Sequence, residues 1–76
     1  MTKTEKMNKT LDLANYVFDN PSDLRHVSDL IETLNEQSFG IDQKIIDDLN
    51  DSKIFTLRVQ DLVSTIISKL NKQLLK

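Results

Sequence analysis

Residues 53–76 read KIFTLRVQDLVSTIISKLNKQLLK, and this stretch decides the fold. Its apolar residues recur at steps of three and four positions, which a period of 3.6 residues per turn gathers on one side of a helix. They are Phe55, Val59, Leu62, Val63, Ile66, Ile67, Leu70 and Leu74, whereas Lys53, Arg58, Lys69, Lys72 and Lys76 lie off this row. The sequence therefore predicts a long amphipathic C-terminal helix around which the rest of the chain packs.

Two alternatives apply to the same stretch. Residues 54–59 are β-branched and aromatic, as in a short strand, but a single strand has no partner in a chain that otherwise reads as helical. Lysines beside an apolar face also suit contact with a membrane surface. Because Phe55 is the only aromatic residue on that face and the chain has few other places for a core, we expect the face to pack against the first two helices.

Three further helices precede this one. The first, from about Thr4 to Phe18, stops at Asn20-Pro21, because proline disfavours helical geometry in the residue before it. The second runs to about Gln37, and the third is short. The residues expected to face inward are Met7, Leu11, Ala14, Val17 and Phe18 in the first, Leu24, Val27, Leu30, Ile31 and Leu34 in the second, and Ile45, Ile46 and Leu49 in the third, with Tyr16 at the edge.

Short polar stretches supply the helix ends. We expect Asn20 to cap the second helix with Pro21 at its first position, and Gly40, the only glycine, to close it in the left-handed conformation. Asp42 then caps the third helix, and Ser52 or Asp51 caps the last. The predicted fold is all-α: a single small four-helix bundle over residues 1–76, with a short third helix, a long amphipathic C-terminal helix, and residues 1–6 frayed.

Composition limits the classes of protein. A chain of 76 residues with 38% hydrophobic residues builds one modest core in one domain. It has no cysteine, which excludes disulfides and thiolate metal sites, and we expect a cytoplasmic protein. We expect neither a signal peptide nor a membrane span, because no sufficiently long apolar run follows Lys3, Lys6 and Lys9 and no run of about eighteen apolar residues occurs.

Charge is divided unevenly along the chain. The net charge is −2, but residues 19–51 carry nine acidic and two basic residues, and residues 52–76 carry five basic residues and one acidic residue. Oppositely charged helices lying side by side explain this pattern, and so does a binding surface for a charged partner. Nucleic acid is not the expected partner, since the acidic segment repels phosphates and Phe55 is the only aromatic residue that accompanies the basic helix.

No arrangement typical of catalysis accompanies these helices. His26 is the only histidine, and Asp23 and Asp29 stand three residues on either side, so one helix face could carry all three. Catalysis would need a nucleophile or an acid–base partner converging on His26, and we interpret it as a solvated histidine on an acidic helix. Asp47 and Asp48 are neighbours in a predicted helix and point about 100° apart, so they do not share a proton. We therefore predict a protein that is not an enzyme and that holds no metal or cofactor.

From Leu30 onward the chain resembles an acyl carrier protein. The similar segments are Asp29-Leu30-Ile31-Glu32-Thr33-Leu34, Phe39-Gly40-Ile41, and Ile54 with Thr56 and the run Val59-Gln60-Asp61-Leu62-Val63. That family is small, helical and acidic, and it carries acyl groups on a phosphopantetheine arm attached to the serine of an Asp-Ser-Leu triplet. Here the triplet reads Ser22-Asp23-Leu24, with aspartate at the aligned attachment position. The resemblance therefore implies a degenerate site in which Ser22 is the residue that would bear the arm.

In size, helix count and cationic last helix the chain is also similar to the immunity proteins that protect Gram-positive bacteria from their own bacteriocins. We predict a non-catalytic module that binds another protein through charged helix faces, with an acyl or peptidyl carrier as the alternative. The residues predicted to bind the partner are Asp29, Glu32, Glu36, Arg58, Lys69 and Lys72. A homodimer through an exposed remainder of the Leu57, Val63, Ile67 and Leu74 stripe is a further expectation.

Overall fold

The computed structural model describes residues 2–75. They form four α-helices: α1 (Lys3–Asp19), α2 (Leu24–Glu36), α3 (Gln43–Asp51) and α4 (Thr56–Leu74). None of the described residues lies in a strand, so residues 54–59 do not form the short strand that their composition allows. This confirms the all-α fold with a short third helix and a long last one.

The helices run alternately up and down. The Gln60 side-chain amide donates to the Phe18 carbonyl over 2.9 Å, which places the start of α4 beside the end of α1. The Gln73 amide donates to the Phe39 carbonyl, which places the end of α4 beside the α2–α3 connection. Each helix packs on the next, and α4 returns to α1. α4 therefore lies beside α1, as expected, and beside α3. α2 lies diagonally opposite α4 and shares the core with it, without being its direct neighbour.

The core lies along the axis between the four helices. Among residues 2–75, α4 contributes five of the sixteen buried apolar side chains, more than any other helix, and each stabilises the fold by about 1.5–3 kcal/mol. These five are Val59, Leu62, Val63, Ile66 and Leu70. The long helix is thus the main packing element, as the periodicity predicts.

Three residues expected in the core are largely exposed. On α1 the buried positions are Met7, Thr10, Ala14 and Val17. Phe18 lies on the same side of the helix as Met7, but 39% of its surface is exposed because α1 ends at Asp19, one residue later. Leu24 is 47% exposed because it is the first residue of α2, a turn before the first buried position. Phe55 is 62% exposed because α4 begins one residue after it.

Two of the expected caps are also wrong. The N-cap of α2 is Asp23 rather than Asn20, because the Asp23 carboxylate accepts from the His26 backbone N–H while residues 20–23 form a turn. α4 has no side-chain cap, and Ser52 instead ends α3 by donating its N–H to the Asp48 and Leu49 carbonyls. Asp42 caps α3 as expected, by accepting from the Lys44 N–H. α1 extends to Lys3, with Thr2 as its N-cap.

The α2–α3 connection contains two residues in the left-handed region. Gly40 has φ +79°, as predicted, but α2 already ends at Glu36, so this glycine shapes the connection and does not close the helix. Phe39, with φ +51°, adopts a conformation that is unusual for a bulky residue. The strained geometry turns Phe39 and Ile41 into the core, where they are 5% and 3% exposed.

Candidate protein-binding faces

An acidic row occupies the outer face of α2. Asp29, Glu32 and Glu36 are exposed and lie within roughly 60° of one another, on the side of the helix opposite the buried Val27 and Leu34. The row is about 10 Å long, at 1.5 Å of rise per residue. None of its three carboxylates forms an ion pair with another residue of the 2–75 range. We call this set the acidic row.

A basic row lies along α4. Arg58, Lys69 and Lys72 are exposed and share one flank of the helix, beside its buried stripe. Arg58 faces α3, where its Nη2 lies 4.0 Å from Asp48 Oδ2, so this flank is the one turned toward α3. The basic row extends over about 21 Å, because fourteen residues separate its ends. It is therefore more dispersed than the acidic row.

The two rows lie on separate faces, since α2 and α4 are diagonally opposite in the bundle. Side-by-side packing of oppositely charged helices neutralises little of this charge. The Arg58–Asp48 contact is the one acid–base pair between helices within residues 2–75, and both side chains are more than a third exposed, so it contributes little to stability. Most of the charge therefore faces solvent.

A polar cluster joins the end of α1 to the start of α2. Asp23 Oδ2 lies 2.8 Å from His26 Nδ1 and accepts from the Tyr16 hydroxyl over 3.0 Å, while Oδ1 accepts from the His26 backbone N–H. The His26 ring packs on Tyr16 with the ring centroids 4.4 Å apart. His26 thus pairs with Asp23, and the wider arrangement with Asp29 that the spacing suggests does not form.

These hydrogen bonds shift the pKa values of Asp23 and Tyr16. Hydrogen bonds from His26 to the carboxylate, assisted by the one from Tyr16, hold the pKa of Asp23 below its ordinary value. The hydrogen bond that Tyr16 donates to Asp23 raises the pKa of the phenol, because ionisation would remove the donor and set two negative charges together. The Asp23 carboxylate therefore caps α2 and is hydrogen-bonded to both Tyr16 and His26.

Ser22 lies in the connection between α1 and α2, one residue before the α2 cap, and it is exposed. Its hydroxyl is accessible at the start of the second helix. Asp23, the residue aligned with the attachment serine in the carrier resemblance, is engaged with Tyr16 and His26.

Sequence reasoning missed an exposed apolar surface at one end of the bundle. The α1–α2 and α3–α4 connections meet at this end, and five of their large apolar side chains are exposed there. They are Phe18, Leu24, Ile54, Phe55 and Leu57. We call this set the apolar end. The sequence contains two indications of this surface. Phe55 has no side-chain group that could cap α4, and Leu24 is surrounded by polar residues, so both positions lie outside the packed parts of the helices.

The dimer surface expected along α4 does not exist in the predicted form. Val63 is fully buried, Ile67 and Leu74 are half-buried against the core, and only Leu57 of that set is exposed. The stripe is used for intramolecular packing.

Within residues 2–75, no helix combines the length and the apolar character needed to cross a membrane. Across that same range, no three histidine or acidic side chains converge in a way that would hold a metal ion. Comparison with known protein families, curated proteins and solved structures finds no match to this chain.

Proposed function

We propose that this protein is a non-catalytic module that binds another protein, in the cytoplasm, through its charged helix faces. The observation that carries the proposal is the acidic row: Asp29, Glu32 and Glu36 lie on the outer face of α2, away from the core and without ion-pair partners among residues 2–75. A partner can reach all three carboxylates without any change in the bundle.

The chemistry of the row indicates its partner. Three carboxylates within about 10 Å attract a surface that presents lysine or arginine side chains at similar spacing. Such a row accelerates association and orients the partner, and its effect weakens as salt shortens the Debye length to about 8 Å at physiological ionic strength. The basic row on α4 offers a second face for an acidic partner, but its charges are spread over about twice the length.

The test is a charge reversal with a matched control. Replacing Asp29, Glu32 and Glu36 by lysine changes the charge of the acidic row from −3 to +3 and touches no core residue. The control reverses the basic row by replacing Arg58, Lys69 and Lys72 with glutamate, which is an equal number of exposed substitutions. Circular dichroism must show unchanged helix content in both.

Each protein is then used to capture partners from its source cells, with recovery measured by quantitative mass spectrometry. We expect one or more proteins that are retained by the wild type and by the control but are lost on reversal of the acidic row. Retention of the same proteins by all three baits would contradict the assignment to the acidic row. Loss only in the basic-row variant would move the site to α4.

One form of this function is immunity against a bacteriocin, which agrees with the helix count and the cationic α4. Expression of the chain in a sensitive strain should then protect it against one bacteriocin of a panel. The acidic-row variant should give no protection. Survival that is equal with and without the chain, across the panel, would dismiss this form.

The alternative function is an acyl or peptidyl carrier, and the exposed Ser22 at the start of α2 is the observation that favours it. Transfer of the arm from coenzyme A would form a phosphodiester at the Ser22 oxygen and release the adenosine bisphosphate portion. Incubation with coenzyme A and a phosphopantetheinyl transferase of broad specificity should then add the mass of one arm to the intact protein. The Ser22→Ala variant must remain unmodified, and an unchanged wild-type mass would eliminate the carrier function.

A further inference from the structure

A groove lies between α1 and α2, at the end where α2 gives way to the α2–α3 connection. Its volume is about 450 Å³, within the range of about 300–1,000 Å³ that is usual for small-molecule sites. The residues that line this α1–α2 groove include Lys6, Lys9, Leu13, Thr33, Glu36 and Phe39. The groove is separate from the stacked rings of Tyr16 and His26, which join the other ends of the same two helices.

Small side chains leave this space open. Thr10 and Thr33 line the groove from α1 and α2, and each hydroxyl donates to a carbonyl of its own helix four residues earlier, over 2.9 Å and 2.8 Å. Neither threonine is large enough to fill the gap between the helices. Leu13 and Phe39 add apolar surface, and the left-handed backbone of Phe39 fixes its position. The groove therefore offers apolar contact to part of a ligand.

Opposite charges border the groove on its two helices. The charged residues that line it are Lys6 and Lys9, both on α1, and Glu36 on α2. All three are exposed, and within residues 2–75 neither lysine lies within 4.0 Å of the Glu36 carboxylate. Glu36 is the last residue of α2, where the negative end of the helix dipole disfavours a carboxylate, so the stability of α2 does not explain its position. The groove is thus positive along α1 and negative at the end of α2.

This arrangement selects a ligand with two opposite charges and an apolar stem between them. A purely anionic ligand is repelled by Glu36, and a purely cationic one is repelled by both lysines. Packed helices have axes about 8–10 Å apart, and an extended six-carbon ω-amino acid has its charges about 7–8 Å apart. From the charges, the apolar lining and the volume, we propose that the α1–α2 groove binds an ω-amino carboxylate. Its carboxylate lies at Lys6 and Lys9 and its ammonium at Glu36.

The groove is independent of the proposed function. Of the acidic row, Glu36 lines the groove, whereas Asp29 and Glu32 do not. Substitution of Lys6 and Lys9 therefore tests the groove and leaves the acidic row intact. The ligand chemistry has two sources, which are a free ω-amino acid and a polypeptide whose last residue is lysine, because both present a carboxylate and an ammonium on one aliphatic stem.

Titration of the isotope-labelled protein with 6-aminohexanoate, followed by amide chemical shifts, tests the proposal. We expect saturable shifts around Leu13, Thr33 and Phe39, with a dissociation constant on the order of 1 mM. Hexanoate and hexylamine each lack one of the two charges and should bind roughly tenfold more weakly. 4-Aminobutanoate should also bind more weakly, because its charges are too close together to reach both helices.

Two matched variants locate the site. Lys6→Gln with Lys9→Gln removes the positive side of the groove, and Lys69→Gln with Lys72→Gln removes two exposed lysines at the same spacing on α4. We expect the first double variant to bind 6-aminohexanoate roughly tenfold more weakly and the second to bind it like the wild type. Circular dichroism should show the same helix content in both.

Three results would overturn the proposal. They are a wild type without saturable shifts, hexanoate or hexylamine binding as tightly as 6-aminohexanoate, and equal affinities of the two double variants. Nα-acetyl-lysine has the same stem and represents a chain that ends in lysine. Affinity equal to that of 6-aminohexanoate supports the proposal with a polypeptide end as the source, and weaker binding supports it with the free ω-amino acid.

Discussion

Removing the side chain of Leu70 tests whether α4 is the main packing element of the bundle. Leu70 lies in α4 and is fully buried, whereas Leu75, five residues later, is 87% exposed. The variants Leu70→Ala and Leu75→Ala make the same chemical change near the same end of the molecule.

The expected cost follows from the three carbon atoms that alanine lacks. At about 0.8 kcal/mol for each buried methylene, the lost transfer free energy is roughly 2.4 kcal/mol, and the cavity left behind raises the total for buried leucines to about 2–5 kcal/mol. A 76-residue domain has a free energy of unfolding of about 4–11 kcal/mol. Leu70→Ala therefore removes a large part of the total stability, while Leu75→Ala should change it by no more than about 0.5 kcal/mol.

Urea unfolding followed by far-ultraviolet circular dichroism measures both variants at one protein concentration. With a slope near 1 kcal/mol per molar urea, the midpoint of Leu70→Ala should fall by about 2–5 M, and that of Leu75→Ala should stay close to the wild type. Equal midpoints for the two variants would refute the claim that α4 packs through this face. So would a loss below about 1 kcal/mol for Leu70→Ala, because no fully buried leucine should be removed at so small a cost.

Further predictions concern the two chain connections. Gly40→Ala should lower the free energy of unfolding by about 1 kcal/mol, since its φ of +79° suits only glycine, and urea unfolding that shows no loss would contradict the left-handed geometry. The single tyrosine, Tyr16, should ionise above its ordinary pKa of 10.0 in a spectrophotometric titration, and Asp23→Asn should return its pKa toward that value; identical titrations would show that the hydrogen bond is absent. Because the pKa of Asp23 is lowered by folding, its stabilising contribution is present above pH 3.8 and is lost as the pH falls through the lower folded value. Asp23→Asn should remove this part of the acid dependence in unfolding curves collected below pH 4, and an unchanged acid profile would refute it.

Periodicity predicts the helices because the apolar residues that a helix buries recur at a regular spacing within one segment of the chain. Val59, Leu62, Ile66 and Leu70 follow the 3.6-residue period and form one apolar face. This face must be covered by another part of the protein, and the prediction does not depend on which part covers it. The same periodicity identifies α1, α2 and α3. The residue type and position of Asp42 identify it as the cap of α3. The character of the fold therefore follows from the sequence.

The ends of the helices do not follow from periodicity. Asn20, Asp23, Asp51 and Ser52 are all good capping residues by type, and the choice among them depends on which backbone N–H groups tertiary packing leaves without partners. Phe18 and Phe55 fit the apolar pattern equally well by type. Phe18 is in the last turn of α1 and Phe55 precedes α4, so both are exposed.

One part of the candidate site could be predicted from the sequence and another part could not. The spacing of Asp29, Glu32 and Glu36 places them on one helix face, and the structure adds that this face points away from the core. The apolar end could not be read from the sequence, because Phe18 and Leu24 are far from Ile54, Phe55 and Leu57 along the chain. They meet only when α1 and α4 pack antiparallel, with Gln60 bonded to the Phe18 carbonyl.

The sequence by itself determined the all-α class, the amphipathic last helix and the segregation of charge, because each follows from the order of residues within one local segment. Only the tertiary structure decided which helices are neighbours, where α2 and α4 begin, and which apolar side chains remain in solvent. Those outcomes depend on contacts between distant segments, whose free energies compete with local preferences of similar size.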